Sequence, residues 1–166
     1  MNHHYIKIIG QGLGFINALT DEQFTSSPGN GASPVGKHFR HILDHFTCII
    51  DGYKDGVINY ENRRRGSNLE SNRLSAIVEF ERVQAWLDSL SATEAGKTVT
   101  VICDVGVGET AIASVPSSVG RELMFATSHA THHYALIKNL VKGVATEAHF
   151  GIAPSTVNND ASLQAQ

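Results

Sequence analysis

Four long stretches of the chain repeat apolar residues at intervals of three and four, the spacing that places side chains on one face of an α-helix. These stretches lie near residues 5–24, 34–53, 69–91 and 117–142. Helices with one apolar face bury it against a partner. The pattern therefore predicts a mostly helical fold in which four main helices share one core. In the third stretch the core candidates are Leu74, Ile77, Val78, Val83, Trp86, Leu87 and Leu90.

The period of the apolar residues changes between the third and fourth stretches. Residues 97–103 and 109–115 alternate in the manner of β-strands and are rich in Thr, Val and Ile. The segment between them, Asp-Val-Gly-Val-Gly at 104–108, supplies turn residues. We therefore expect a small β-hairpin at about 97–115, directly before the last helix.

Glycines at positions 10, 12 and 14 in the first stretch invite comparison with a dinucleotide-binding loop. The third glycine of a G-x-G-x-x-G motif would fall at Phe15, and no βαβ pattern follows. We reject that interpretation. Each glycine inside a helix costs about 1 kcal/mol relative to alanine, so the first helix is the least strongly predicted.

Composition limits the size of the fold and its partners. The chain has 166 residues, and only 17% of them are charged, against about 25% in an average soluble domain. The net charge of −3 argues against nucleic-acid binding, which usually needs a basic surplus.

The sequence has no targeting pattern, no CxxC motif and no run of about 20 apolar residues. We expect a cytoplasmic protein without a membrane partner, with one domain over 1–157 and a disordered tail over 158–166.

Seven of the nine histidines fall in the second predicted helix, the last predicted helix and the tail: His38, His41, His45, His129, His132, His133 and His149. Residues four apart on a helix project from one face. His129 and His133 therefore form a pair, and His41 and His45 form a second one on another helix. Imidazole is a ligand for Zn, Ni, Fe and Cu, and three neutral ligands with an open position are typical of catalytic zinc sites.

The structural alternative is that these histidines only satisfy one another within the core or lie at the surface. Periodicity does not choose firmly within the second helix, where His38 and His45 lie nearer the edge of the apolar stripe than His41 does. His132 is rotated away from the face shared by His129 and His133, so we expect it to pack or to form a hydrogen bond around the site. Asp44 and Glu122 are the carboxylates closest in sequence to these histidines, and Glu122 is also a candidate base.

Other sites are excluded by their missing motifs. The chain has no Glu-x-x-His of a carboxylate-bridged di-iron bundle, no H-E-x-x-H and no cysteine pair of a zinc finger. The run Arg63-Arg64-Arg65 is typical of a solvated loop, with phosphate or carboxylate binding there as the alternative.

Several segments together resemble the DinB/YfiT-like superfamily. They are Val35–His41 in the second helix and His129–His133 in the last, on either side of the hairpin. The loop Tyr60–Arg63 and the tail His149–Thr156 resemble a bacterial branch of it. The resemblance covers nearly the whole chain, in order. It implies an all-α four-helix bundle of up-down-down-up topology, with a small β-hairpin before the last helix and a three-histidine metal site.

Carried over by position, the resemblance implies that the metal ligands are His41, five residues after Gly36, together with His129 and His133. His45 has no counterpart and is a candidate fourth ligand. The expected ion is divalent, with zinc or nickel favoured. Many members continue with His-His-Arg-Gly-Gln, whereas this chain continues with Tyr-Ala-Leu after its second histidine, so its substrate contacts on that side differ.

The superfamily contains thiol-dependent transferases and isomerases, proteins regarded as hydrolases, and members without an assigned activity. The resemblance therefore implies a metal-dependent hydrolase or low-molecular-weight-thiol transferase that acts on a small molecule as a homodimer. The alternative is a non-catalytic stress protein that binds a metal or a small molecule.

Overall fold

The computed structural model describes residues 2–29 and 31–164. Four long helices dominate it: α1 (Asn2–Asn17), α3 (Val35–Gly52), α4 (Arg73–Ser89) and α6 (Val119–Leu140). Three shorter helices are α2 (Asp21–Thr25), α5 (Ala92–Ala95) and α7 (Pro154–Gln164). Two 3₁₀ turns, Tyr60–Asn62 and Asn68–Glu70, lie between α3 and α4. The prediction of a mostly helical fold is confirmed, and within the described ranges no helix is long and apolar enough to cross a membrane.

A three-stranded sheet accompanies the helices, with strands β1 (Val57–Asn59), β2 (Thr98–Asp104) and β3 (Ile112–Ser118) in the order β1-β2-β3. β2 and β3 pair antiparallel, which confirms the predicted hairpin. β1 pairs with β2 in parallel and was not predicted. It has only three residues, and its partner lies some forty residues later in the chain, so no local pattern marks it.

Aromatic rings fill the core that the long helices enclose. α1 packs on α4 and α6, and α3 packs on the same two helices. The Phe39 and Phe80 rings meet edge to face at 5.4 Å between centroids. Phe150 returns from the segment after α6 and stacks on Phe15 at 4.7 Å and on Tyr134 at 4.9 Å. Such contacts stabilise a core beyond the area they bury.

The first predicted helix is shorter than expected. It ends at Asn17, and α2 begins separately after Thr20. The Thr20 side chain accepts a hydrogen bond from the Gln23 backbone N–H, and the Gln23 side chain accepts one from the Thr20 backbone N–H. This capping box starts a new helix, because the capping residue itself has an extended backbone. The predicted continuous range 5–24 is therefore wrong.

Two of the core candidates in α4 are also wrong. Leu74 and Val78 are 63% and 64% exposed, whereas Ala76 and Phe80 are completely buried. Apolar residues occur on more than one face of α4, so periodicity alone does not identify the buried face. Val83, Leu87 and Leu90 are buried as expected.

The tail has a helical backbone where the sequence predicts disorder. α7 begins at Pro154, a residue that suits the first turn of a helix because that turn needs no N–H. Its side chains are exposed through Asp160 apart from the half-buried Val157, so little packing holds it. Residues 165–166 of the predicted tail lie outside the described residues, and the domain boundary at 157 stays a prediction.

Replacing Gly12 with alanine should destabilise the protein, because a Cβ there would overlap the Tyr134 hydroxyl and approach Phe80 Cε1 to 3.0 Å. Overpacking of this kind typically costs about 1–3 kcal/mol. Gly10→Ala in the same helix is the matched control, since its nearest neighbour would be Gln84 Nε2 at 3.7 Å. Urea unfolding should show Gly10→Ala as neutral or stabilising. Equal stability of the two variants would contradict the packing of α1 on α6.

Candidate metal centre

Five histidines from two packed helices form one cluster, hereafter the histidine cluster. α3 contributes His38, His41 and His45, one turn apart, and α6 contributes His129 and His133. The rings lie close together: the centroid of His129 is 4.9 Å from that of His41, 4.6 Å from that of His45 and 4.6 Å from that of His133. The spacing of four residues on each helix brings these side chains to the contact between the helices.

Three members of the cluster direct their ligand nitrogens to one place. His41, His45 and His129 each offer a nitrogen, and these three atoms lie within 4.8 Å of one another. Nε2 of His41 and Nε2 of His129 are 2.9 Å apart, so one ring donates a hydrogen bond to the other. The arrangement is compatible with a metal site.

His45 has a defined tautomer. Its Nδ1 donates a hydrogen bond of 2.9 Å to the backbone carbonyl of His41, and a carbonyl can only accept. The Nδ1 atom therefore carries the proton, and the Nε2 lone pair is available. Metal-bound imidazoles usually donate their other N–H in this way. Sequence spacing alone cannot reveal this bond, and it strengthens the case for His45.

His133 lies in the cluster with a different partner. Its Nδ1 is 2.9 Å from Nδ1 of His38, and its ring centroid is 4.9 Å from that of His41. It does not belong to the group whose ligand atoms converge, so the ligand set of His41, His129 and His133 stays a prediction. His132 is exposed and faces a groove on the other side of α6, beside Tyr5 of α1.

The histidines of the cluster are held in the neutral form. Burial, reinforced by neighbouring histidines, lowers the pKa of His41 and of His133 to about 3 and that of His129 to about 4. Burial also lowers the pKa of His38 and His45. Neutral imidazole is the form that binds a metal, so no proton has to be displaced from these rings at neutral pH.

The two carboxylates expected beside the histidines are engaged elsewhere. Asp44 accepts a hydrogen bond from Arg40 Nη1 at 2.8 Å. Glu122 accepts from the Tyr60 hydroxyl at 2.7 Å and from Ser117 Oγ at 2.5 Å. Neither bonds to a histidine in the part of the chain that the structure describes, so their assignment as direct partners is wrong. Glu122 lies seven residues before His129, about 10 Å along the helix axis, which is too far for a hydrogen bond.

Tyr60 connects Glu122 to the cluster and was missed by sequence reasoning. Its ring centroid is 5.3 Å from that of His45, and its hydroxyl donates to the buried Glu122 carboxylate. The only signal in the sequence was its place in the loop motif Tyr60–Arg63.

Cys48 lies one turn after His45 and is a buried thiol. Burial raises the pKa of this thiol to about 11, so it stays protonated.

Acid should destabilise the metal-free protein. The unfolded chain binds protons at histidines near pH 6.5, whereas His41, His129 and His133 take them up only near pH 3 to 4 in the folded state. Between these limits the unfolded state binds more protons, so the free energy of unfolding falls as the pH is lowered. Thermal unfolding between pH 7 and pH 4 should show this slope. His41→Asn should make it shallower, and an unchanged slope would contradict the burial of this ring.

Comparison with known proteins bears on the fold. No protein-family model matches the chain. The chain is 30% identical over 158 residues to FK506-binding protein 5 of Rhizopus delemar; the match covers 93% of this chain and 36% of that protein. The crystal structure of a DinB-like protein, YjoA of Bacillus subtilis, superimposes with a TM-score of 0.63 at 14% identity, over 90% of this chain and 96% of the other. The resemblance stated from the sequence is thus confirmed at the level of the fold: this chain has the DinB-like fold.

Proposed function

We propose that this protein is a metal-dependent enzyme that transfers a low-molecular-weight thiol. In this proposal His41, His129 and His133 hold one divalent ion, zinc or nickel, with His45 as a further ligand. The observation that carries the proposal is the convergence of neutral imidazole nitrogens in a half-buried cluster between two helices. Imidazole nitrogens suit both ions.

A divalent ion held in this way lowers the pKa of a water or thiol that it binds and polarises a substrate oxygen. The protein's own residues would orient and shield that site. His45 is anchored through its Nδ1 to the His41 carbonyl, which directs its other nitrogen. Tyr60 and Phe125 flank the His45 ring at 5.3 Å and 5.7 Å between centroids and cover it with apolar surface.

Thiol transfer is favoured over hydrolysis because the described residues place no carboxylate base at the histidine cluster. Activation of water is often helped by a carboxylate that accepts its proton. Among residues 2–29 and 31–164 no carboxylate is hydrogen-bonded to the histidine cluster, and Glu122 already accepts bonds from Tyr60 and Ser117. A thiol bound to a divalent ion loses its proton without such a base.

A non-catalytic role in binding a small molecule or a metal is the second candidate. It is supported by the relative from Rhizopus delemar, which is named for binding FK506. The chain spans 36% of that protein's length, so the FK506-binding part of the relative need not correspond to this region. In either role the histidine cluster would hold the ion.

We also propose that the long helices form a bundle of up-down-down-up topology.

We further propose that the protein is a homodimer whose two copies associate through α1 and α6. A groove of about 500 Å³ between these helices, with Met124 61% exposed at its edge, supports this surface. Light scattering should give a dimer mass that falls on dilution. A monomer mass at every concentration would contradict the dimer.

The metal content of natively purified protein tests the proposed site. Protein prepared without a histidine tag or added metal should contain a stoichiometric divalent ion. His133→Ala should abolish it, because a ligand is lost. His132→Ala is the matched control, since this neighbour is exposed and its loss should leave most of the ion bound.

A third variant, His45→Ala, tells the two ligand sets apart. Full metal in His133→Ala together with loss in His45→Ala would assign the ion to His41, His45 and His129 in place of the proposed set. Wild-type protein that never holds metal would favour the structural role of the histidines.

A further inference from the structure

His38 lies at the edge of the histidine cluster. Its ring centroid is 5.2 Å from that of His133, and among the described residues no other ring of the cluster lies as close to it. His133 lies further in, with its centroid 4.9 Å from that of His41 and 4.6 Å from that of His129. His133 therefore stands between His38 and the two histidines that share the proposed ligand set with it.

A hydrogen bond joins His38 to His133 across the contact between α3 and α6. The two Nδ1 atoms are 2.9 Å apart, so one ring donates the bond and the other accepts it. In either direction Nδ1 of His133 is occupied by His38. Nε2 is therefore the nitrogen with which His133 can bind an ion.

The direction of this bond follows if His133 binds an ion through Nε2. A neutral imidazole carries one proton, and a ring whose Nε2 lone pair is used carries that proton on Nδ1. His133 then donates from Nδ1, and Nδ1 of His38 accepts. The proton of His38 then lies on its Nε2, which is not among the buried unpaired atoms of the described residues, so water can accept its hydrogen bond.

The partner of His133 differs in kind from that of His45. Nδ1 of His45 donates to the backbone carbonyl of His41, within one turn of α3. That bond belongs to a single helix and does not depend on how the helices pack. Nδ1 of His133 has no carbonyl partner among the described residues, and it pairs with a side chain of the opposite helix. The orientation of the His133 ring therefore depends on His38.

We propose that His38 is a positioning residue of the metal centre. Its Nδ1 accepts a hydrogen bond from Nδ1 of His133 and so directs Nε2 of His133 toward the ion, while His38 itself binds no metal. Partners of this kind fix the tautomer and the orientation of metal-bound imidazoles. The proposal rests on the function proposed above, in which His133 is a ligand, and it assigns a role to a further histidine of the cluster.

The position of the ring protons tests the proposal in wild-type protein. NMR of the ring nitrogens distinguishes a protonated nitrogen, a nitrogen with a free lone pair and a nitrogen bound to Zn²⁺. In zinc-loaded protein His133 should bind through Nε2 and carry its proton on Nδ1. His38 should carry its proton on Nε2 and bind no zinc. Zinc on either nitrogen of His38, or on Nδ1 of His133, would overturn the proposal.

The affinity for Zn²⁺ measures what this hydrogen bond contributes. Competition with a chromogenic chelator gives the dissociation constant of Zn²⁺ for each variant. His38→Ala should weaken zinc binding about tenfold to a hundredfold, the usual effect of removing the partner of a metal-binding histidine. His132→Ala is the matched control and should keep the wild-type constant, because His132 is an exposed histidine next to His133 in the sequence.

His38→Asn separates the hydrogen bond from the other roles of the ring. The oxygen of an asparagine side chain lies at about the position of a histidine Nδ1 and can accept from Nδ1 of His133. This variant should therefore bind Zn²⁺ more tightly than His38→Ala and close to wild type. Folded His38→Ala protein with the wild-type constant overturns the proposal. So does His38→Asn protein that binds as weakly as His38→Ala, because an acceptor is then not what the site requires.

Further outcomes separate this proposal from the function on which it rests. Wild-type protein that binds no Zn²⁺ overturns the metal site and the role of His38 with it. Zinc on His41, His45 and His129 without His133 overturns the proposed ligand set and this role together. Zinc on His133 with an unchanged constant in His38→Ala overturns only the role of His38. If His38→Ala does not fold, the ring protons of the wild-type protein still decide the question.

Discussion

The packing of α3 against α6 is the contact on which both the core and the histidine cluster depend. Buried positions along α6 include Ala126 and Ala130, whose small side chains let neighbouring helices approach closely. That approach brings Nε2 of His41 and of His129 to 2.9 Å. A shift of one residue along either helix would rotate a side chain by about 100° and separate these atoms. The helix register therefore has to be held by the rest of the structure.

The register of α6 is held by the residue next to the cluster. Tyr134 follows His133 and is completely buried, with its ring stacked on Phe150 and its hydroxyl against Gly12. Only a glycine leaves room for this ring in α1, which explains a glycine that weakens the helix by propensity alone. Phe150 reaches the ring because His149, with φ of 71°, turns the chain back after α6. Side chains far from the cluster thus position its histidines.

Local patterns predicted much of the fold, and non-local contacts account for most of the rest. Helical and alternating periods identified the long helices and the hairpin, because those elements are built from neighbours in sequence. The strand β1 and the core position of Phe150 depend on residues distant in sequence, so no window could reveal them. Spacing predicted that His41, His45, His129 and His133 lie close together, but it could not tell whether His45 or His133 shares a ligand position with His41 and His129. That choice depends on one backbone hydrogen bond, from His45 Nδ1, and on the pairing of His133 with His38.

Histidines that merely satisfy one another would explain part of this arrangement. Such a structural role accounts for the two ring-to-ring hydrogen bonds, between His41 and His129 and between His38 and His133. It does not account for His45, whose Nδ1 bond to the His41 carbonyl leaves the Nε2 lone pair available and whose ring belongs to the group of three with ligand atoms within 4.8 Å of one another. Neutral imidazoles whose nitrogens converge between two helices are instead the features that a metal ion would use.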